Sequence, residues 1–168
     1  MSSSPERLTR LYDTHEDKLY RLARRLTASA SDAEDLLQET FLKAAQALGS
    51  IPVGSPNEEA WLTRVLVNTR RDQWRRKGVR QRAAPLLQPA PAAPQSSPES
   101  ALITREAVWS ALDGLNPRRR AIVILAEIDG LTPDAIARTL GLAVMTVRWH
   151  LSMARRDLRR TLASHLER

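Results

Sequence analysis

Between Ala83 and Ser97 the chain reads Ala-Ala-Pro-Leu-Leu-Gln-Pro-Ala-Pro-Ala-Ala-Pro-Gln-Ser-Ser, and no other stretch restricts the fold as strongly. Each proline removes a backbone donor and pushes the preceding residue towards extended geometry, so a helix cannot run through it. The segment is therefore expected to be a linker of extended, semi-stiff character. It splits 168 residues into two parts, each the size of a small domain that buries a modest fraction of its surface and gains from a partner. The expected domains are residues 1–82 and 99–168, joined by a linker at 83–98.

Wherever periodicity is clear it is helical, and no segment sustains the apolar/polar alternation of a half-buried strand, which predicts an all-α protein. A first helix is expected after Ser4-Pro5, carrying Leu8, Leu11, Tyr12, Leu19, Leu22 and Leu26 on one stripe. A second should begin at Ser31-Asp32, bury Leu37, Phe41, Ala44 and Leu48, and stop at Gly49. A third should open at Asn57-Glu58-Glu59, run through Trp61, Leu62, Val65, Leu66 and Thr69, and end in the basic stretch Trp74 to Gly78. Beyond the linker, four shorter helices are expected: Glu99 to Leu112, Pro117 to Ile128, Pro133 to Leu140, and Val144 to Leu166.

Charge narrows the class of partner. Lys and Arg number 26 against 19 Asp and Glu, a formal +7, and nearly all the cations are Arg, whose fork suits phosphates and guanine edges. A polyanion is the leading partner. The opening Met1-Ser-Ser-Ser-Pro-Glu lacks the apolar core of a signal peptide and no stretch approaches transmembrane length, so a soluble, cytoplasmic protein without membrane insertion is expected. There is no cysteine, and His15, His150 and His165 are scattered, which argues against a metal centre; no cofactor is expected.

The segment Thr132 to Arg148 meets the steric demands of a helix-turn-helix. Ala137 is small where two helices meet, Gly141 can take positive φ at the turn, and Val147 plugs the angle between the helices. Ile136, Leu140, Val147, Leu151, Ala154 and Leu158 supply the apolar face. Met145, Arg148, Trp149, Ser152, Arg155 and Arg156 then lie on the outer side of a helix that fits a major groove. A tryptophan there needs either a ligand or a packing partner.

The first part of the chain carries two further patterns. Arg64, Asn68, Arg71 and Arg75 repeat at three- and four-residue spacing, thickened by Arg70, Arg76, Lys77, Arg80 and Arg82; dipole complementation at a helix end needs only one or two of these. Trp61 could stack a base or simply join the core. Asp32, Glu34, Asp35, Gln38 and Glu39 crowd the first turns of the preceding helix, more carboxylates than capping requires. Acidic side chains repel DNA, so this face suggests a protein partner with a positive surface.

Asp32-Ala33-Glu34-Asp35-Leu36-Leu37-Gln38-Glu39-Thr40-Phe41, followed by Trp61 to Asn68, Asp72 and a basic tail, resembles region two of the extracytoplasmic-function (ECF) sigma factors of the sigma-70 family. Leu115 to Arg120, Glu127 to Thr132 and Arg155 to Leu158 resemble region four. The resemblance implies an alternative sigma factor that binds RNA polymerase core and directs promoter-specific initiation, with duplex opening driven by binding energy and no enzymatic activity. It implies that Asp32, Asp35, Leu36, Gln38, Glu39 and Phe41 meet the β′ clamp helices. Trp61, Arg64, Asn68, Arg71, Arg75 and Arg76 would meet the minus-ten element, and the loop from Gly49 to Asn57 would receive a base turned out of the stack. The second domain would grip the β flap and read the minus-thirty-five element of promoter DNA through Thr146, Arg148, Trp149, Ser152 and Arg155. An anti-sigma factor is expected as a further partner.

Three positions depart from the family pattern. Ala143 stands where a serine commonly caps the recognition helix, a change that costs about 1 kcal/mol unless another group replaces it, and Met145 and Trp149 replace smaller residues. Two other functions compete. A conventional regulator that binds DNA alone leaves the acidic helix unexplained. An enzyme acting on nucleic acid would need paired carboxylates, a phosphate loop or a nucleophile beside a histidine, and the sequence offers none of these.

Overall fold

The structure, a computed structural model, describes residues 4–83 and 100–166. Nearly all of the expected linker, together with the predicted helix start at Glu99, lies outside the described residues. The elements are α1 (Ser4–Leu26), α2 (Ala30–Gln46), α3 (Ser55–Ala83), α4 (Ser100–Asp113), α5 (Pro117–Val123), α6 (Pro133–Leu140) and α7 (Val144–Leu166). The described residues are all-α, and among them no helix is long and apolar enough to cross a membrane.

Local chemistry sets the boundaries. α2 starts before Ser31-Asp32 because Ser29 takes the cap: its hydroxyl accepts from the Asp32 amide at 3.0 Å and donates to the Asp32 carboxylate at 2.8 Å. α2 ends at Gln46, and a single 3-10 turn, Leu48–Ser50, carries the chain on past Gly49. α3 begins two residues before Asn57, after Gly54 at φ 105°, whose carbonyl accepts from the Asn57 and Glu58 amides. It passes through Gly78 rather than ending there; glycine weakens a helix by about 1 kcal/mol but does not stop one. α5 opens on the Asn116 cap and Pro117 and gives way to a π turn at Ile124–Ile128, closed by the Asp129 amide on the Ile124 carbonyl at 3.1 Å. The bounds of α6 and α7 coincide with the sequence reading.

Leu11, Leu19, Leu22 and Leu26 of α1 face Leu36 and Leu37 of α2 and Leu62 and Leu66 of α3, all buried. The same apolar cluster continues into Ile122, Ile124, Ile136 and Val147 of the second half. The two halves are thus packed together: α3 lies against α5 and α6, and α1 touches α5.

Candidate nucleic-acid and polymerase interface

The helix-turn-helix forms as its sequence dictates. Thr132 caps α6 by accepting from the Ala135 amide, Gly141 ends it at φ 67° and ψ 40°, and Val147 is 0% exposed between the two helices. With Val147, Leu151 and Ala154 buried, Arg148, Trp149, Ser152, Arg155 and Arg156 are exposed and Thr146 is half-buried. Arg155 forks onto Glu127 Oε1 at 2.7 and 3.2 Å. Such an exposed pair is worth about 0–1 kcal/mol, so it can yield to a phosphate. Trp149 has the packing partner its exposure called for: the Arg119 guanidinium sits 5.3 Å from the ring centroid, and Arg119 is itself tied to Asp157 at 3.1 Å.

On α2, Asp32, Asp35 and Gln38 are exposed. Glu39 is half-buried, accepting from Gln73 at 2.9 Å and pairing with Lys43 at 3.2 Å. Burial alone would raise its pKa, but those hydrogen bonds and the charges of Lys43 and Arg76 outweigh burial and hold it below the ordinary carboxylate value. Leu36 and Phe41 face inward in the free chain: Leu36 is 0% exposed and Phe41 is buried with its ring 4.8 Å from that of Tyr12, so both pack α2 against its neighbours.

Along α3, Arg75 and Arg76 are exposed, while Trp61, Arg64, Asn68 and Arg71 are half-buried. Arg64 reaches across to the second half of the chain. Its Nε donates to the Thr139 carbonyl at 3.0 Å and a terminal nitrogen donates to the Arg138 carbonyl at 2.8 Å, so it closes the C-terminal end of α6. A cation there satisfies orphan carbonyls and the helix dipole together. Gly141 is part of the same fit, because a Cβ on it would come within 3.0 Å of the Arg64 guanidinium carbon. The loop before α3 is pinned by Arg7, which donates to the Leu48 and Ile51 carbonyls at 2.9 and 2.7 Å. Between that loop and α6 runs a cleft of about 630 Å³ bordered by Pro52, Pro56, Trp61, Arg64, Arg138 and Thr139.

The contact between the halves also holds like charges together. Burial lowers the Arg118 pKa, and so do Arg71 and Arg75 on the facing helix. Arg70 is likewise lowered by burial and by Arg120, partly offset by Asp32 and Asp113. Opposing this repulsion, Arg25 pairs with Asp129 at 2.9 Å and Arg120 donates to the Arg25 carbonyl at 2.6 Å while pairing with Asp113. Sequence reading missed Arg7, Arg119 and the second role of Arg64. Their partners lie 30 to 75 residues away, and no local pattern signals them.

Comparison with known proteins completes the assignment. Residues 11–80 match the model for sigma-70 region 2, and residues 105–158 match that for sigma-70 region 4. The ECF RNA polymerase sigma factor SigM of Mycobacterium tuberculosis is 34% identical over 152 residues, covering 90% of this chain and 75% of the relative. The chain belongs to the ECF sigma factors. SigE of Mycolicibacterium smegmatis, another ECF RNA polymerase sigma factor, is 37% identical over 157 residues, which is 90% of this sigma factor but only 60% of that longer relative. Among solved structures, the sigma factor RpoE of Bartonella quintana, crystallised with the anti-sigma factor NepR, superposes with a TM-score of 0.67 at 26% identity, covering 92% of this sigma factor and 96% of that chain.

Proposed function

We propose that this sigma factor holds RNA polymerase core through the exposed acidic side of α2 and directs it to promoters through α3 and α7. The observation that carries the reading is the separation of charge by element. Asp32, Asp35 and Gln38 are exposed on α2, whereas Arg75 and Arg76 on α3 and Arg148 and Arg155 on α7 are presented on exposed helix faces. Carboxylates repel phosphate, so α2 serves the protein partner and the arginine-bearing helices serve DNA. The domains proposed are residues 1–82 for core binding and the minus-ten element, and 99–168 for the β flap and the minus-thirty-five element. The work asked of these residues is binding, with no catalytic group, and an enzyme that transcribes in the cytoplasm fixes the location. By extension from the RpoE complex with NepR, an anti-sigma factor is a further partner.

Promoter binding requires the two halves to part. The two elements lie about 25 base pairs apart, roughly 85 Å along the duplex at 3.4 Å per pair, whereas α6 rests directly on α3 and occupies Arg64. The described arrangement is then a closed form in which each half covers part of the other. The like charges of Arg118, Arg71 and Arg75 oppose that closure, and phosphates would neutralise them on opening.

Co-elution with sigma-free core polymerase tests the first step. Wild-type chain should co-elute, and the double variant Asp35→Ala/Gln38→Ala should not, while its helical signal is unchanged because both residues are exposed. Retained core affinity in that variant would remove α2 from the interface.

A further inference from the structure

We propose that Met145 and Trp149 form an apolar reading edge that selects thymine, through its C5-methyl group, in the upstream promoter element. The inference rests on the reading that α7 enters the major groove. Met145 and Trp149 are four residues apart and so share one helical face, and they are 71% and 54% exposed, large apolar side chains left open to solvent. The opposite face is fixed by Val147, Leu151 and Ala154 in the core, so α7 cannot roll to hide them.

The surroundings of this pair point to DNA and not to an apolar protein surface. Arg148, Arg155 and Arg156 are exposed on the same helix, and the chain carries a formal +7. A face that sets two large apolar groups among arginines and enters a major groove finds one apolar feature there, the thymine methyl. Trp149 is also held in place before DNA arrives. Arg119 covers its ring at 5.3 Å, Asp157 fixes Arg119, and the His150 ring lies edge-on at 4.9 Å. A ring already fixed loses little freedom on binding, which favours discrimination over mere adhesion. Met145, unbranched and polarizable, can settle against the methyl from the neighbouring turn.

The test uses holoenzyme assembled from the full chain and core polymerase. A duplex library randomised across the upstream element is selected for binding, and each thymine of the selected element is then replaced by uracil, which removes only the methyl. Affinity should fall about three- to five-fold at one or more thymines, the value of one apolar carbon removed from water. The double variant Met145→Ala/Trp149→Ala should bind the thymine and uracil templates equally. A selected element without thymine, or equal binding of both templates by the wild-type holoenzyme, overturns the proposal while leaving α7 as a DNA reader. Absence of any upstream sequence preference overturns the groove reading along with it. The comparison of templates with wild-type protein stands even if the variant folds poorly.

Discussion

Removing the guanidinium of Arg64 should open the molecule. In the closed form this side chain makes two charge-assisted hydrogen bonds to the Thr139 and Arg138 carbonyls at the end of α6, at 3.0 and 2.8 Å. Charged hydrogen bonds contribute about 1.5–3 kcal/mol each, and solvent screening at this partly exposed site brings each down to about 1 kcal/mol, so the pair contributes about 2 kcal/mol. That is a shift of about 30-fold in the equilibrium between closed and open forms, enough to take a ratio of about 100 to 1 down to about 3 to 1. Arg118→Gln should act in the opposite sense, because it removes a cation pressed against Arg71 and Arg75. The chain has no native cysteine, so dyes on Gln46→Cys and Arg160→Cys, both exposed positions in different halves, report the separation by energy transfer. Arg64→Ala should lower the transfer and Arg118→Gln should preserve or raise it. If Arg64→Ala leaves the transfer unchanged, the contact does not hold the halves together and the reasoning fails.

Three further outcomes follow from individual residues. Replacing Arg148 by alanine should relax the upstream sequence preference and cost about 1 to 3 kcal/mol where it pairs a guanine; a selection returning the same element would reassign it to phosphate contact. Thr132→Ala removes the α6 cap and should lower stability by about 1 kcal/mol in urea denaturation, with the midpoint moved and the slope retained. Burial, together with the charges of Arg119 and Arg118, holds the His150 pKa below the ordinary 6.5. As pH falls below about 6.5 the unfolded chain therefore takes up a proton that the folded chain refuses, and stability declines. His150→Gln should show a smaller loss of melting temperature between about pH 7.5 and 5.5 than the wild type, and identical losses would mean that His150 does not titrate differently in the folded state.

The parts of the fold that were legible in the sequence are those fixed by local sterics. Ala137, Gly141 and Val147 left one arrangement for α6 and α7, and both helices have the expected bounds. The start of α2 moved from Ser31 back to Ser29, whose hydroxyl reaches the amide three residues on, that of Asp32. The burial of Leu36 and Phe41 was hidden for a different reason. A helix sandwiched between two others is apolar over a wide arc, and residues shared by a family motif for the sake of packing look the same in sequence as residues shared for contact. Arg64 and Arg155 lie on the expected faces, yet the first meets carbonyls 75 and 74 residues away and the second a carboxylate 28 residues away, pairings that only tertiary structure creates. The outward direction of Met145 and Trp149 was readable from periodicity, whereas the arginine lid on the indole was not.

A sigma factor converts a polymerase that cannot choose a start site into one that can. Run-off transcription from a genomic promoter library with sigma-free core tests this directly: adding the chain should produce transcripts with discrete start sites, and Asp35→Ala/Gln38→Ala should abolish them. Transcripts that stay random in position, or a chain that shifts promoter duplex tightly with no polymerase present and adds nothing when core is supplied, would contradict it.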